Sequence, residues 1–308
     1  MQESGDGRTL LTVTINTLSL SLMALLSFIG NILVCLAFHR NRRIRTVTNC
    51  YVYSLAITDL IFACSVYPMD AIASASRRWS FGSILCQFNG FTSYLWVSVS
   101  INILALAAVN RYCCIVNPHF YSVFFTKRRA ILSIIFVILF ILCTFLAAII
   151  VTGSLFRWHP YYLFCQATDF KGPVEAFILT FLIGFVFLPT CVTFVCYGRV
   201  YQVIRRHNSL VIPFLQQANS QRAMVSKHEI QGSWILLAAV VAFCICWIPA
   251  TTVVILEKLA HRGIPPFWQS IHTLSSACSS WINPIIYGVM NRAMRKEFLK
   301  VIRCGKEN

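Results

Sequence analysis

Long stretches of this chain carry no charge, and they recur. Seven windows hold no Asp, Glu, Lys or Arg, or a single one: Thr9–Phe38, Thr46–Met69 (interrupted only by Asp59), Trp79–Asn110, Ala130–Phe156, Ala176–Gly198, Ile230–Leu256 and Gly263–Asn291. About 20 mainly apolar helical residues cross a hydrocarbon core of ~30 Å, and every window is that long. Backbone amides in lipid must be hydrogen-bonded within their own segment, which selects helices. A membrane β-barrel would show shorter segments of alternating polarity. The pattern predicts an all-α membrane protein: a bundle of seven transmembrane helices over residues 9–290, followed by a short amphipathic helix over 291–304. Met294, Phe298, Leu299 and Ile302 give that helix its lipid-facing side, and Arg292, Arg295, Lys296, Lys300 and Arg303 its wet side. Residues 1–8 and 305–308 are short tails, and the whole of 1–308 forms one domain.

The charges between the windows set the orientation. Of the 26 Lys and Arg residues, 19 fall in alternate connections at 40–45, 111–129 and 199–227 and in the C-terminal segment. Basic loops stay in the cytoplasm, which puts the N-terminus outside and the C-terminus inside a multi-pass plasma-membrane protein. The first window is about twice the length of a signal-peptide core. Composition agrees: 57% hydrophobic and 12% charged residues, against about 25% charged in a soluble domain. The net charge of +16 is divided among loops separated by apolar spans, which suits contact with anionic lipid better than a nucleic-acid groove. Among 14 cysteines, those within spans pack as apolar groups. Cys86 and Cys165 fall near the oxidising face and form the obvious disulfide pair.

Polar residues inside the spans carry the chemistry. Asp59 is the only acid in the middle of a window, and insertion scales put the cost of such a residue at roughly 2.5–3.5 kcal/mol. Asn31, Ser100, Ser279, Ser280 and Asn283 are mid-span as well, enough to surround Asp59 as a hydrated cation site. Pro68, Pro189, Pro249 and Pro284 each remove an intrahelical hydrogen bond and favour a kink. Arg111 ends the third span and Glu229 opens the sixth on the same side, placed to lock two helix ends together or to snorkel at the interface.

In combination these residues resemble the rhodopsin-like (class A) G-protein-coupled receptors along essentially the whole chain. The matching motifs are Gly30-Asn31, Ser54-Leu55-Ala56-x-x-Asp59, Trp79-x-Phe81-Gly82 before Cys86, Asn110-Arg111-Tyr112, Pro189 with Tyr197, Phe243-x-x-Cys246-Trp247-x-Pro249, and Asn283-Pro284-x-x-Tyr287. Asn110-Arg111-Tyr112-Cys113, the run Trp79–Phe91 and Ile285–Gly288 are most similar to melatonin receptors. The chain departs from them at Pro284, Phe185 and Ile138. The resemblance implies a receptor, not an enzyme, that passes binding of an extracellular ligand to a heterotrimeric G protein. Asp59, Ser100, Ser280 and Asn283 resemble an allosteric sodium pocket. Ile101, Pro189 and Phe243 resemble the connector that repacks on activation, and Trp247 the toggle at the pocket floor. Arg111, Tyr112, Tyr197 and Tyr287 resemble the group that rearranges to admit the G protein, with Pro249 as hinge and Glu229 as lock. Cys304 is a palmitoylation candidate. With neither Ser nor Thr after it, arrestin recognition falls to Ser209, Ser220 and Ser226.

The pocket expected from the resemblance is lined by Asn89, Ser93, Tyr94, Val97, Phe181, Phe185, Trp247, Ala250, Thr251, Val254, His272 and Thr273. Ser93 stands where amine receptors carry an acid, which favours a neutral small molecule, melatonin-like or another indole or lipid. Ala277 stands where opsins carry the Schiff-base Lys, so retinal is not expected, nor any other cofactor. A receptor active without agonist is the alternative. A seven-span transporter or pump would need more intramembrane charge than Asp59, and a membrane enzyme would need clustered His and Asp. Asn110 replaces the usual acid beside Arg111 and so removes a restraint on it. Asn110→Asp is expected to lower agonist-free G-protein activation severalfold; unchanged basal signalling would exclude that role.

Overall fold

Polar caps and prolines punctuate the helices. The computed structural model describes residues 8–153, 155–159, 162–167, 172–214, 227–260 and 265–304, without the side chains of 207–214, 227–229, 257–260, 266, 269 and 304. Helix α1 (Leu10–Arg40) starts at Thr9, whose hydroxyl accepts from the Thr12 amide. Thr46 caps α2 (Val47–Ser65) and Thr126 caps α6 (Lys127–Thr152) in the same way. Between α2 and α6 lie α3 (Tyr67–Ser76), α4 (Gly82–Val116) and the short α5 (Pro118–Phe124). After a hairpin of β1 (Phe156–His159) and β2 (Phe164–Ala167) come α7 (Pro173–Leu179), a π-helical stretch (Thr180–Phe187), α8 (Leu188–Phe214), α9 (Lys227–Ala260), α10 (Pro266–Met290) and α11 (Arg292–Cys304).

Six helical runs among the described residues are long and apolar enough to cross a membrane. They are α1, α2 with α3, α4, α6, α7 through α8, and α9. The seventh expected span, α10, has 25 residues but is studded with Ser270, His272, Thr273, Ser275, Ser276, Ser279, Ser280 and Asn283. Part of that polarity is turned into the bundle. Asn16 of α1 donates to Ser270 Oγ (2.9 Å), and Tyr67 of α3 donates to the Ala277 carbonyl (2.8 Å).

Each proline leaves the carbonyl four residues earlier without its usual donor. Pro284 does this to Ser280, and the neighbouring helix answers: Asn31 Nδ2 donates to the Ser280 carbonyl at 3.0 Å, with Ser27 Oγ at 3.5 Å. Gly30 makes the approach possible, since a Cβ there would lie 2.9 Å from Pro284 Cβ. Pro189 does the same to Phe185, whose carbonyl accepts from Asn102 Nδ2 of α4 at 3.3 Å. The π-helical stretch ends two residues before Pro189, as expected where an inserted proline disturbs the ladder. Pro68 stands in the first turn of α3, just past the break at Val66 that divides the second span.

The hairpin was not expected from the apolar pattern. Its strands pair antiparallel, with Trp158 opposite Cys165, and it is anchored on α4 in three ways. The Cys86–Cys165 disulfide forms as predicted. Gln87 Oε1 accepts the amides of Leu155 (2.9 Å) and Phe156 (3.0 Å), while its Nε2 donates to the Phe156 carbonyl. Gly90 lets the hairpin sit down, because a Cβ there would lie 2.4 Å from Phe156 Cγ and 2.6 Å from the Cys165 carbonyl oxygen. Phe156, Leu163 and Cys165 are buried as a result.

Helix α11 also differs from its sequence reading. Leu299 and Ile302 are exposed as expected for a lipid-facing side, but Met294 is fully buried. Phe298 packs under Gly288, where a Cβ would lie 3.2 Å from its ring. Two of the four apolar residues therefore face the bundle, not lipid. Gly90→Val is expected to lift the hairpin and lower stability by about 1–3 kcal/mol, the usual cost of overpacking. A lower melting temperature of the purified protein would show it.

Candidate functional site

Two groups of polar and aromatic residues lie at opposite ends of the bundle, with Asp59 between them. At the hairpin end, Tyr94 of α4 is the centre of an aromatic group. Its ring meets Phe181 at 4.8 Å, Phe156 at 5.4 Å and Phe177 at 5.9 Å between centroids. Beside it, Ser93 Oγ donates to the Asn89 carbonyl (2.8 Å), and Asn89 Oδ1 accepts the Cys165 amide (3.1 Å). Asn89 Nδ2 donates to Asp70 Oδ1 at 2.9 Å. Asp70 is a second buried acid, one residue beyond the edge of the apolar window that ended at Met69. Thr273 Oγ1 donates to the Tyr162 carbonyl of the hairpin turn. His272 is buried edge-on to Tyr162 (4.9 Å) and parallel to Phe164 (6.0 Å). These contacts latch the hairpin to α10.

The predicted pocket residues divide. Asn89, Tyr94 and Thr273 each touch the hairpin, Phe181 packs on Tyr94, and Ser93 bonds the Asn89 carbonyl. Phe185 does not join them: its ring packs on Phe140 (6.0 Å) and Phe145 (5.8 Å) of α6, because it sits a helical turn below Phe181. Deeper in α9, Trp247 stacks on Phe243 at 5.6 Å, and Thr251 returns its hydroxyl to the Trp247 carbonyl (2.9 Å). Ala250 is buried, while Val97 and Val254 are half-buried.

Midway, Asn283 Nδ2 donates to Asp59 Oδ2 at 3.1 Å, with both residues buried. Ser280 Oγ bonds the Tyr67 hydroxyl (2.6 Å), and Asn31 Nδ2 donates to the Ser280 carbonyl while Asn31 Oδ1 is buried with no hydrogen-bond partner among the described residues. Neither Ser280 nor Ser100 bonds Asp59 among the described contacts. Tyr67 went unnoticed in the sequence because a single mid-span tyrosine carries no signal.

At the opposite, basic end, Arg111 is buried, with Nη1 3.3 Å from where a Cβ on Gly232 of α9 would lie. Its neighbour Asn110 faces away, accepting at Oδ1 from Thr48 of α2 (2.9 Å). The hydroxyls of Tyr197 and Tyr287 are buried with no hydrogen-bond partner among the described residues. Tyr112 packs with Ile115, Val200, Ile204 and Ile230. The side chains of Glu229 and Cys304 lie outside the described residues, as does that of Ser209; Ser220 and Ser226 are outside them altogether. The arginine–glutamate lock and the palmitoylation site therefore rest on sequence alone.

With this geometry in place the comparisons are decisive. A family model for the 7 transmembrane receptor (rhodopsin family) matches residues 30–287. The chain belongs to that family. The dog histamine H2 receptor is 30% identical over 291 residues, covering 92% of this chain and 78% of its own. The sheep melatonin receptor type 1A is 27% identical over 280 residues, covering 89% and 73%. The crystal structure of squid rhodopsin superposes with a TM-score of 0.83 at 21% identity, over 95% of this chain and 85% of that one. The relatives thus include the melatonin receptors that the motifs resemble, together with histamine receptors that the sequence reading did not single out. Family membership makes this receptor a multi-pass membrane protein of G-protein signalling and not an enzyme.

One contact outside the bundle core is sensitive to pH. Glu297 of α11 accepts from Lys300 Nζ (2.9 Å) and from Asn41 Nδ2 of the first connection (3.2 Å). Lys300 beside it holds its carboxyl below the ordinary carboxylate range, with Asn41 adding to the effect against the opposing pull of desolvation. A carboxyl lowered on folding contributes stability above its unfolded pKa and loses it as pH falls through the folded value. The protection of α11 amides from exchange, relative to their intrinsic rates at the same pH, should therefore fall in acid, below the ordinary carboxylate range. In Glu297→Gln protection should be lower at neutral pH and lose this acid response.

Proposed function

We propose that the receptor converts binding of an extracellular small aromatic molecule into nucleotide exchange on a heterotrimeric G protein. The observation that carries the transducing half is the basic end. Two buried tyrosine hydroxyls, Tyr197 and Tyr287, have no protein partner among the described residues, and each such group costs about 1–3 kcal/mol. An arrangement that pairs them lies within reach of a modest perturbation. Arg111 rests close against Gly232, where a Cβ would lie 3.3 Å from Nη1, so an outward swing of α9 about Pro249 would free it. An agonist drives that swing only to the extent that it binds the open arrangement more tightly. In the accepted orientation of basic loops the opening faces the cytoplasm, where the G protein waits, and the hairpin faces outside.

The ligand half rests on the aromatic group around Tyr94. It suits a flat ring, whether the indole of a melatonin-like ligand or the ring of another small aromatic molecule. Ser93 denies such a ligand an acid on α4. A second reading, activity without agonist, is favoured by one observation: Asn110 is bonded to Thr48, and it offers Arg111 no charge. Sodium at Asp59 and arrestin at the third inner connection remain subsidiary parts of the proposal.

The test is nucleotide exchange on purified G proteins by the full chain in lipid nanodiscs. Wild-type receptor should accelerate exchange, and Arg111→Ala should reduce the acceleration by roughly 5–150-fold, the usual range for loss of an allosteric coupling. Exchange indifferent to Arg111 would contradict the proposed transducing role.

A further inference from the structure

Asp70 lies in the first turn of α3 and is 4% exposed. One side-chain hydrogen bond reaches it among the described residues, from the neutral amide of Asn89 to Oδ1. The described ion pair, Lys300 with Glu297, belongs to the opposite end of the molecule. A carboxylate withdrawn from water without an opposite charge is costly. An amide donor and the first turn of a helix lessen that cost without neutralising the charge. The acid therefore either keeps its proton or receives a cation.

Its surroundings favour a cation that arrives with a ring attached. Asn89 joins Asp70 to Ser93, one turn further along α4, through the Ser93 hydroxyl bond to the Asn89 carbonyl (2.8 Å). On the adjoining face of the same turn, Tyr94 gathers Phe181, Phe156 and Phe177 at centroid distances from 4.8 to 5.9 Å. A turn of helix is about 5.4 Å, close to the span between the ammonium and the ring of an arylethylamine. The acid and the aromatic group share one cover, because Asn89 also accepts the amide of Cys165 in the hairpin (3.1 Å).

We propose that Asp70 is the counter-ion for the ammonium group of a small aromatic amine whose ring lies against Tyr94 and Phe181. The inference rests on the reading of this end as a small-molecule site and names the ligand's charge. It moves the acid from α4, where Ser93 stands, to α3. The competing role is structural: Asp70 would serve only to orient Asn89 and so hold the hairpin. Asp70→Asn separates the two, because it keeps the shape and an oxygen for Asn89 while removing the charge.

Thermal melting of the full chain in nanodiscs reads the outcome, with tryptamine, tyramine and histamine as probes and their neutral N-acetyl derivatives as controls. The expected result is stabilisation of wild type by at least one amine beyond its N-acetyl partner. In Asp70→Asn that amine should bind about thirtyfold or more weakly, as when one member of a buried charge pair is removed. Asp70→Glu keeps the charge and should keep the preference for the amine, which guards against a folding defect in the first variant. The proposal is overturned if no amine stabilises wild type, if amine and N-acetyl partner act alike, or if Asp70→Asn responds as wild type does. Arg111-dependent nucleotide exchange persisting under any of these results would leave the receptor reading intact.

Discussion

Hydrocarbon offers no partner to a backbone carbonyl, and this receptor breaks its own helical ladders with proline. The fold depends on how those carbonyls are satisfied. Asn31 reaches across from α1 to the Ser280 carbonyl released by Pro284, and Asn102 reaches from α4 to the Phe185 carbonyl released by Pro189. Each cross-link fixes one helix against another at mid-membrane, where an unsatisfied group would cost most. The kinks are held in place at their centres, and the segments beyond them are left to the weaker packing of their ends. Motion is therefore directed to the two ends, where the aromatic group and the arginine lie.

The ends differ in how they are closed. At one, the hairpin is fastened by the disulfide, by Gln87 and by the seat at Gly90, and it is latched again to α10 through Thr273. At the other, Arg111 lies against a bare glycine and two tyrosine hydroxyls are unsatisfied by protein. A tightly covered end and a loosely satisfied end, joined through α4, α9 and α10, are what a device needs if binding at one is to alter packing at the other. Between them the Asp59–Asn283 bond ties α2 to α10, so a rearrangement of α10 is felt on α2.

Much of this was legible in the sequence for simple reasons. Spacing of charges gave the spans. The Cys86–Cys165 pair followed from the few cysteines outside lipid. What escaped depends on tertiary contacts. The hairpin strands are four residues each, too short for alternation to stand out, and α4 holds them in place. Asp70 lies just outside an apolar window, and a proline-started helix carries it into the bundle. Ser280 and Asn31 were read as neighbours of Asp59 because they are mid-span. Height in the membrane says nothing of direction: Asn31 Nδ2 bonds the proline-freed carbonyl, and Ser280 bonds Tyr67. Phe185 and Phe298 show the same limit, since an aromatic residue packs wherever a neighbour leaves space.

The central claim is that the two ends are coupled through an outward movement of α9. Paired spin labels at the basic ends of α4 and α9, introduced at Val116 and Gln231 by non-cysteine chemistry, measure it directly. The distance distribution in nanodiscs should shift to longer values when nucleotide-free G protein binds, and the shift should be absent in Arg111→Ala. A distribution that does not change when G protein binds to the wild type would contradict the account.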